Sequence, residues 1–205
     1  MQETRVWRAL MGLKNTVVEG VEFDEDCDAV VVHVRPTASR RGRCGTCQRR
    51  SPGYDGGNGR RRWRALDLGA VQAFVEADAP RVRCRRHGVT VASVPWARHD
   101  AGHTRDFDDQ VAWLATVTSK TAVTNLMRVA WRTVGSIIAR VWADTGGATD
   151  RLEGLARIGI DEISYRRGQE YLTVLVDHDS GRLVWASPGN SAATQRSFFD
   201  ALGPA

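Results

Sequence analysis

Apolar residues alternate with polar ones, or cluster as β-branched runs, through the first hundred residues. Valines on both sides of an acidic turn at 24–28 predict a β-hairpin over 16–35. Short apolar runs predict further strands at 63–68, 71–77 and 81–83. The segment 36–62 is rich in arginine and glycine and is predicted to be an exposed loop.

A helical period replaces this pattern from Asp106. Apolar residues recur at spacings of three and four over 106–118, 120–127 and 131–143, and Ser119 suits the N-cap of the second helix. The last two helices and the turn between them have the proportions of a helix-turn-helix, but a plain three-helix bundle has the same period. Ala130 stands where a capping Ser or Thr is expected, which favours the bundle.

The pattern changes once more after a segment at 144–150 that has the composition of a linker. Three strands are predicted at 158–165, 171–177 and 182–186, joined by turn-like sequences. A helix is predicted at 192–202, with Asn190 or Ser191 as its cap and Gly203 as its stop. The fold class expected from these patterns is α+β with several domains.

Two pairs of candidate metal ligands lie in the arginine-rich part of the chain. They are Cys44-Gly-Thr-Cys47 and Cys84-Arg-Arg-His87, each with two residues between the ligands, and 36 residues separate the pairs. Such a spacer lets both side chains of a turn converge on one ion, and four N and S ligands are typical of structural zinc. We expect a zinc ribbon with two knuckles, in which protein ligands fill all four positions.

Three residues lie outside this pattern. His99 and His103 are also spaced like ligands and are the alternatives if His87 does not bind the metal, whereas Cys27 is expected to be a free thiol.

The apolar runs are too short to cross a bilayer and the N-terminus lacks a signal-peptide pattern. We therefore expect a cytoplasmic protein without a membrane partner, in which disulfide bonds are disfavoured.

Positive charge is concentrated in one block. The net charge is +5, yet residues 35–98 contain fifteen Arg against four acidic residues. This distribution favours a nucleic-acid partner over a merely solvated charged face, because arginine binds phosphate with two N–H groups. The predicted phosphate contacts in the block are Arg41, Arg43, Arg49, Arg50, Arg61 and Arg62.

The third predicted helix supplies the other candidate DNA contacts. In a helix-turn-helix the second helix of the motif enters the major groove, and its first turns read the bases. Arg132, Thr133 and Ser136 occupy those turns, and Arg140 lies near the far end, where it is predicted to contact phosphate.

An acidic residue interrupts the first strand after the linker, in Ile158-Gly-Ile-Asp-Glu162. A carboxylate in an apolar strand costs free energy unless it is paired, hydrogen-bonded or bound to metal. Three strands followed by a helix, with an acidic residue on the first strand, is also how an RNase H-like nuclease core begins. Such cores hold two divalent metals between carboxylates.

In this order, the motifs resemble those of the zinc-finger DDE transposases of bacterial insertion sequences, the ISL-three family. The resemblance extends over nearly the whole chain. Besides the Cys and His pairs it rests on Val94-Pro-Trp-Ala-Arg98, Val129-Ala-Trp-Arg-Thr-Val134, Arg157-Ile-Gly-Ile-Asp-Glu-Ile-Ser-Tyr165, Tyr171-Leu-Thr-Val-Leu-Val-Asp-His-Asp179 and Gly181-Arg-Leu-Val-Trp185.

The resemblance implies a function for each part of the chain. Residues 1–100 become a zinc-ribbon DNA-binding domain, 101–145 a helix-turn-helix DNA-binding domain, and 151–205 part of an RNase H-like DDE catalytic domain. Family members bind the terminal inverted repeats of their element as double-stranded DNA and cut and rejoin DNA with Mg²⁺. By this resemblance Asp161 matches the first catalytic carboxylate, Glu162 is structural, and the protein acts as a homodimer on DNA at the bacterial nucleoid.

The sequence departs from the family pattern in its acidic residues. The second Asp and the Glu of the family's triad lie later than position 205, and Asp177 and Asp179 fall in a turn where Asp is common for local hydrogen bonds. One carboxylate cannot hold two metals. We therefore expect a truncated transposase with an incomplete DDE site. The alternatives are a non-catalytic DNA-binding repressor of transposition and an unrelated zinc-ribbon nucleic-acid-binding protein.

Overall fold

A computed structural model describes residues 2–145, 150–166 and 170–203. The chain divides into two compact units, Met1–Asp144 and Thr145–Ala205. The first two predicted domains fall within the first unit, and the third falls within the second. The described residues have a mixed α/β architecture with five helices, four of which the sequence predicted.

The elements of the first unit are α1 (Gln2–Leu10), β1 (Thr16–Asp24), β2 (Ala29–Pro36), β3 (Gly53–Asp55), β4 (Arg60–Leu68), β5 (Val71–Asp78), β6 (Arg81–Cys84), β7 (Gly88–Val91), α2 (Arg105–Val117), α3 (Lys120–Met127) and α4 (Trp131–Thr145), the last of which ends at the boundary. The second unit contains β8 (Ile158–Arg166), β9 (Glu170–Asp177), β10 (Leu183–Pro188) and α5 (Ala192–Leu202).

A four-stranded sheet in the order β1-β2-β5-β4 carries the main core of the first unit. Strands β1 and β2 form the predicted hairpin, whereas β2 and β5 are parallel. A parallel pair needs a long crossover connection, and here residues 37–70 provide it. The sheet packs its valines against Trp63 and Trp96, whose rings meet edge to face with centroids 5.5 Å apart.

Helices α2, α3 and α4 bury a second core made of their periodic apolar positions. The buried members are Phe107, Val111, Val123, Met127, Val134 and Ile137. Thr104 and Ser119 cap α2 and α3, since each side-chain oxygen accepts a hydrogen bond from a backbone N–H three residues later. No described helix is both long and apolar enough to cross a membrane.

In the second unit, an antiparallel sheet in the order β10-β9-β8 packs against α5. Phe198 of α5 is buried against Leu175 and Val184, and its ring contacts that of Trp185. The predicted cap and stop of α5 are confirmed: the Ser191 hydroxyl accepts from the Thr194 N–H, and Gly203 has a φ of 79°.

The interpretation of 36–62 as loop is wrong in part, because β3 and the start of β4 lie within it. Helix α1 and strand β7 were also not predicted. All three residues of β3 are exposed, so no alternation of apolar and polar positions marks that strand. Helix α1 does carry apolar residues at helical spacing, Val6, Trp7 and Leu10, which the sequence analysis missed. The predicted linker and the first turn of the second unit include residues 146–149 and 167–169, which lie outside the described residues.

Candidate metal centre and nucleic-acid interface

The four predicted metal ligands lie together. The ligand atoms of Cys44, Cys47, Cys84 and His87 all lie within 4.8 Å of one another. Two of the sulfurs, Cys47 Sγ and Cys84 Sγ, are 3.7 Å apart, and His87 Nδ1 is 3.6 Å from Cys84 Sγ. Tetrahedral zinc with Zn–S bonds of about 2.3 Å and Zn–N bonds of about 2.0 Å requires separations of roughly 3.8 and 3.5 Å. The donor set and its spacing therefore fit a structural zinc ion.

Backbone hydrogen bonds shape the first knuckle. The Cys44 N–H donates to the Arg49 carbonyl over 2.9 Å, and the Gln48 N–H donates to the Cys44 carbonyl over 3.0 Å. Gly45 is required by packing, because a Cβ there would lie 2.3 Å from His99 Nδ1 and 2.7 Å from the Val91 carbonyl oxygen. The small residue thus lets the knuckle lie against the end of β7.

The second knuckle is the turn between β6 and β7, in which Cys84 pairs with Gly88. The Arg86 N–H donates to Cys84 Sγ over 3.4 Å. This hydrogen bond is the main cause that lowers the pKa of Cys84 to about 6, although burial acts in the opposite direction. The site therefore favours the thiolate, which is the form that binds zinc. With four protein ligands, a bound metal would have no open position for a reactant.

The alternative ligands are not part of this cluster. His99 lies against the first knuckle at Gly45, and its ring is outside the four-ligand group. His103 stacks on Phe107 with ring centroids 5.0 Å apart, and burial lowers its pKa. Cys27 is exposed and lies outside the cluster.

Several arginines beside the knuckles are exposed and have no carboxylate partner among the described residues. Two of them, Arg49 and Arg50, belong to the predicted phosphate contacts. Arg85 and Arg86 lie between the two ligands of the second knuckle, and Arg40 precedes the first. Because no acidic side chain neutralises them, these five residues, which we call the knuckle arginines, give the metal centre a positive surface.

Other predicted contacts are already paired. Arg62 donates to Asp24 over 2.8 Å and to Glu76 over 2.6 Å, and Arg60 also donates to Glu76. Burial raises the pKa of the Glu76 carboxyl, but the bonds from Arg62 and Arg60 outweigh it, and the pKa lies below its ordinary value. Arg62 therefore stabilises the surface of the sheet in this structure.

Three further predicted contacts donate to backbone carbonyls and keep their net charge. Arg41 donates to the Pro36 carbonyl, Arg43 to those of Ser39 and Gln48, and Arg61 to that of Ala101. A guanidinium has five N–H donors, so each of these side chains keeps N–H groups that are not used in the bonds to carbonyls. The structure therefore fixes these side chains without neutralising them.

The four predicted contacts on α4 differ in their surroundings. Arg132 is exposed and has no ion pair among the described residues, and Ser136 is exposed with its hydroxyl bonded to the Thr133 carbonyl over 2.9 Å. Thr133 itself is half-buried. Arg140 donates two hydrogen bonds, of 3.0 and 3.1 Å, to the carboxylate of Asp108. The exposed face of α4 also carries Trp131, Ile138 and Trp142.

Asp108 is the centre of an ion network that sequence analysis missed. It is fully buried on α2 and lies 3.6 Å from the buried Arg98, which also pairs with Asp109 and Asp144 at 2.7 Å each. A buried charge is tolerated only when it is paired, so this network fixes α4 against α2. The signal was in the sequence: Asp108 precedes Val111 by three residues and thus lies within the apolar stripe of α2.

Asp161, the candidate catalytic carboxylate, is exposed on β8 opposite Val174. The argument from burial in an apolar strand therefore does not apply to it. Its Oδ1 accepts the Glu162 N–H over 2.8 Å. Within the described ranges, the group of Cys44, Cys47, Cys84 and His87 is the one cluster of three or more ligand side chains.

The two acidic residues that follow β9 make local contacts. Asp177 accepts hydrogen bonds from the Ser180 hydroxyl and from the Asp179 N–H, and the first of these is the main cause that lowers its pKa. Asp179 pairs with Arg157. Both side chains therefore stabilise the turn, as their position in the sequence suggested.

Three family models match the chain in order. Residues 40–87 match the zinc-finger of transposase IS204/IS1001/IS1096/IS1165, and residues 92–142 match the helix-turn-helix domain of transposase family ISL3. Residues 158–205 match a third family model, that of a transposase. The second match decides for the helix-turn-helix over a plain three-helix bundle.

Curated relatives agree with these matches. The transposase for insertion sequence element IS1557 of Mycobacterium tuberculosis, in strains CDC 1551 and H37Rv, is 60% identical over 209 positions that cover 99% of this chain and 47% of the relative. The transposase for IS1001 of Bordetella parapertussis is 27% identical, over 100% of this chain and 50% of the relative. The chain thus spans about half the length of these relatives. No solved structure matches it. The metal ligands, the helix-turn-helix and the relatives agree, and the chain belongs to the ISL3 family of insertion-sequence transposases.

Proposed function

We propose that this chain recognises DNA for an insertion-sequence transposase, by binding the terminal inverted repeats of its element as a duplex. The observation that carries the proposal is the Cys₃His cluster with unpaired arginines beside both knuckles. A metal centre with all positions filled does no chemistry on a substrate, so its role is to hold the surrounding loops. What those loops present is positive charge, which suits a polyanion.

The zinc ribbon supplies the contacts that do not depend on base sequence. The ion would be held by Cys44, Cys47, Cys84 and His87 and would contribute folding free energy to the two knuckles. The knuckle arginines then meet phosphates as fixed cations. Arg41, Arg43 and Arg61 are restrained by carbonyl bonds and add to the same surface. Arg62 contributes less, because Asp24 and Glu76 already neutralise it.

The helix-turn-helix supplies the base contacts. With α4 in the major groove, Arg132 and Ser136 reach base edges, with Thr133 beside them. We assign Arg140 a positioning role in place of the phosphate contact expected from the sequence, because its guanidinium is bound to Asp108. An inverted repeat has two-fold symmetry, so a homodimer on the DNA is the matching assembly.

Asp161 is our proposed first carboxylate of a DDE site in an RNase H-like domain. Strand β8 is the edge of the meander β10-β9-β8 that precedes α5, which is the arrangement expected at the start of such a core. Mg²⁺ would need further carboxylates, and the described residues place none of them with Asp161. They do not fit a two-metal site, so we derive no catalytic step from them.

The alternative function is repression of transposition. A protein that binds the same repeats without cutting DNA would exclude the active enzyme from the ends of the element. Both functions place the protein at the bacterial nucleoid, in the cytoplasm. They differ in strand cleavage and share the same DNA contacts.

The test uses the zinc-loaded chain and short duplexes that tile the DNA on both sides of its coding sequence. Duplexes with an inverted repeat are expected to bind at least about 10³-fold more tightly than shuffled ones at physiological salt. Arg132→Ala should reduce that ratio, whereas Arg49→Ala should weaken binding to both duplexes equally. Equal affinity of the unaltered chain for all duplexes would overturn the proposal. Equally tight binding to the same sequences as RNA would support the more general zinc-ribbon alternative.

A further inference from the structure

We propose that the cleft between α1 and the start of β1 binds the phosphate backbone of the same DNA. The inference rests on the proposed function and extends it to residues 5–37, which lie outside the segments that match the zinc-finger and helix-turn-helix models. The cleft has a volume of about 700 Å³. The polar residues that line it are Arg5, Arg8, Lys14, Asn15, Thr16 and Thr37.

Three cations face this cleft without acidic partners among the described residues. Arg5 and Arg8 are three positions apart on α1 and so lie on one face of the helix. Lys14 follows in the connection to β1, and all three side chains are exposed. Among the described residues that line the cleft there is no carboxylate, although that of Asp106 lies against Gly12 beside it. This differs from the sheet surface, where Arg60 and Arg62 are both bound to Glu76.

Backbone contacts hold the turn that carries Lys14 against the end of β2. Gly12 and Asn15 have φ values of 62° and 55°, which turn the chain sharply after α1. The Thr37 N–H donates to the Asn15 carbonyl over 3.0 Å and ties this turn to the end of β2. Asp106 of α2 lies against Gly12, and the positive φ of Gly12 is the reason that position favours glycine.

The cleft continues into the zinc ribbon. The Thr37 carbonyl accepts the N–H groups of Arg40 and Arg41, over 2.9 and 3.2 Å. Arg41 and Arg50 line a second cleft of about 330 Å³ beside the first knuckle. Basic side chains therefore follow one another from α1 to the metal centre. Thr37 connects the two parts, because its N–H and carbonyl bond to the turn after α1 and to the segment before the first knuckle.

A duplex backbone matches this arrangement better than a small anion does. Sites for single anions gather backbone N–H groups into a narrow concavity. Here long flexible cations surround a wide open cleft, so each can reach a different phosphate. A row of such cations binds a polyanion by releasing its counterions.

The test measures how the affinity for a labelled duplex of random sequence depends on salt, using the zinc-loaded full chain. We expect the double variant Arg5→Ala/Arg8→Ala to reduce the slope of log K against log salt by about 1.8, or 0.9 for each lost phosphate contact. Between 50 and 200 mM salt both proteins lose affinity, and the factor by which the variant loses it is then about 12 times smaller than that of the unaltered chain. Alanine favours helix, so α1 is retained, which circular dichroism would verify.

Two control variants test whether the change in slope depends on the charge that is removed or on the place from which it is removed. Arg157→Ala/Arg182→Ala removes the same charge from the second unit, where these residues bind Asp179 and Ser180, and should leave the slope unchanged. Arg5→Lys/Arg8→Lys should also keep the slope.

Three results would contradict us in different ways. A flat salt response of the unaltered chain would defeat the proposed function itself. A steep response that the double alanine variant leaves unaltered would defeat only the inference about the cleft. Displacement of the duplex by inorganic phosphate at matched ionic strength, from the unaltered chain and not from the variant, would show that the cleft binds a small anion instead of DNA.

Discussion

Two regions of the first unit differ in how most of their arginines are used, although Arg60 and Arg62 of the first are paired and Arg132 of the second has no ion pair among the described residues. The zinc module, residues 40–91, carries the knuckle arginines, which have no carboxylate partner among the described residues. In the helical module, residues 98–145, Arg98, Arg105 and Arg140 are all bound to aspartates. The knuckles of the first region take their shape from four metal ligands, beside β4 and β5 of the main sheet core, and the second region takes its shape from an apolar core and a buried ion network.

The difference shows that a count of basic residues does not identify a nucleic-acid interface. The positions of the acidic residues decide which cations remain available. Arg62 and Arg49 lie in the same basic block, yet only Arg62 faces a carboxylate. A paired cation on a surface contributes little to stability and has less charge to offer a ligand. The unpaired cations therefore define the face that we assign to DNA.

The largest effect we expect is the loss of the metal. Cys44→Ser should abolish zinc binding and disorder β3, β6 and β7, because a structural zinc contributes on the order of 10 kcal/mol. DNA affinity should fall by more than about 100-fold, since the knuckle arginines lose their fixed positions. The helical signal in circular dichroism should persist, because the helical module has its own core. Zinc content and binding are measured on the same sample.

Cys27→Ser is the matched control for that variant. Cys27 is exposed and outside the cluster, so its replacement should change neither zinc content nor affinity. If Cys44→Ser retained one zinc per chain, or if its loss melted the helices as well, the contrast between the two modules would fail.

The next largest effect concerns the ion network of the helical module. Asp108→Ala leaves Arg140 without a carboxylate and weakens the pairing of the buried Arg98. We expect a loss of about 3–5 kcal/mol in the free energy of unfolding, measured in urea by tryptophan fluorescence, with zinc content unchanged. Asp109→Ala removes a half-exposed partner of the same Arg98 and should cost about 1 kcal/mol or less. Equal losses from the two variants would show that burial of Asp108 is not what matters.

Sequence analysis predicted the strongly patterned elements well. The three helices of the helical module and α5 were placed to within about two residues, because their apolar periods and caps are explicit. The metal ligands were also predictable, since the two-residue spacers define a knuckle without knowledge of the fold. Their juxtaposition across 36 intervening residues follows from the antiparallel pairing of β6 with β3 and β7.

What the sequence could not supply was the pairing of charges. Arg62 and Arg50 look alike in the basic block, but only the register of β4 on β5 brings Arg62 to Glu76. The role of Arg140 depends on how α4 packs against Asp108 of α2. Long-range packing decides both of these cases, and no local pattern encodes it. Helix α1 is a different case: Val6, Trp7 and Leu10 recur at helical spacing, and the sequence analysis missed this nine-residue stripe.

The most direct test of the account compares unpaired with paired arginines in one measurement. One variant replaces Arg49, Arg50, Arg85 and Arg86 by alanine, and the other replaces Arg60, Arg62, Arg81 and Arg128, which bind Glu76, Asp24, Asp55 and Asp67. Each variant loses four positive charges, so the effect of the change in net charge is the same in both. We predict that the slope of log K against log salt for duplex DNA falls by about 3.6 in the first variant and by less than about 1 in the second. Equal reductions in the two variants would contradict the claim that the metal centre presents the DNA-binding surface.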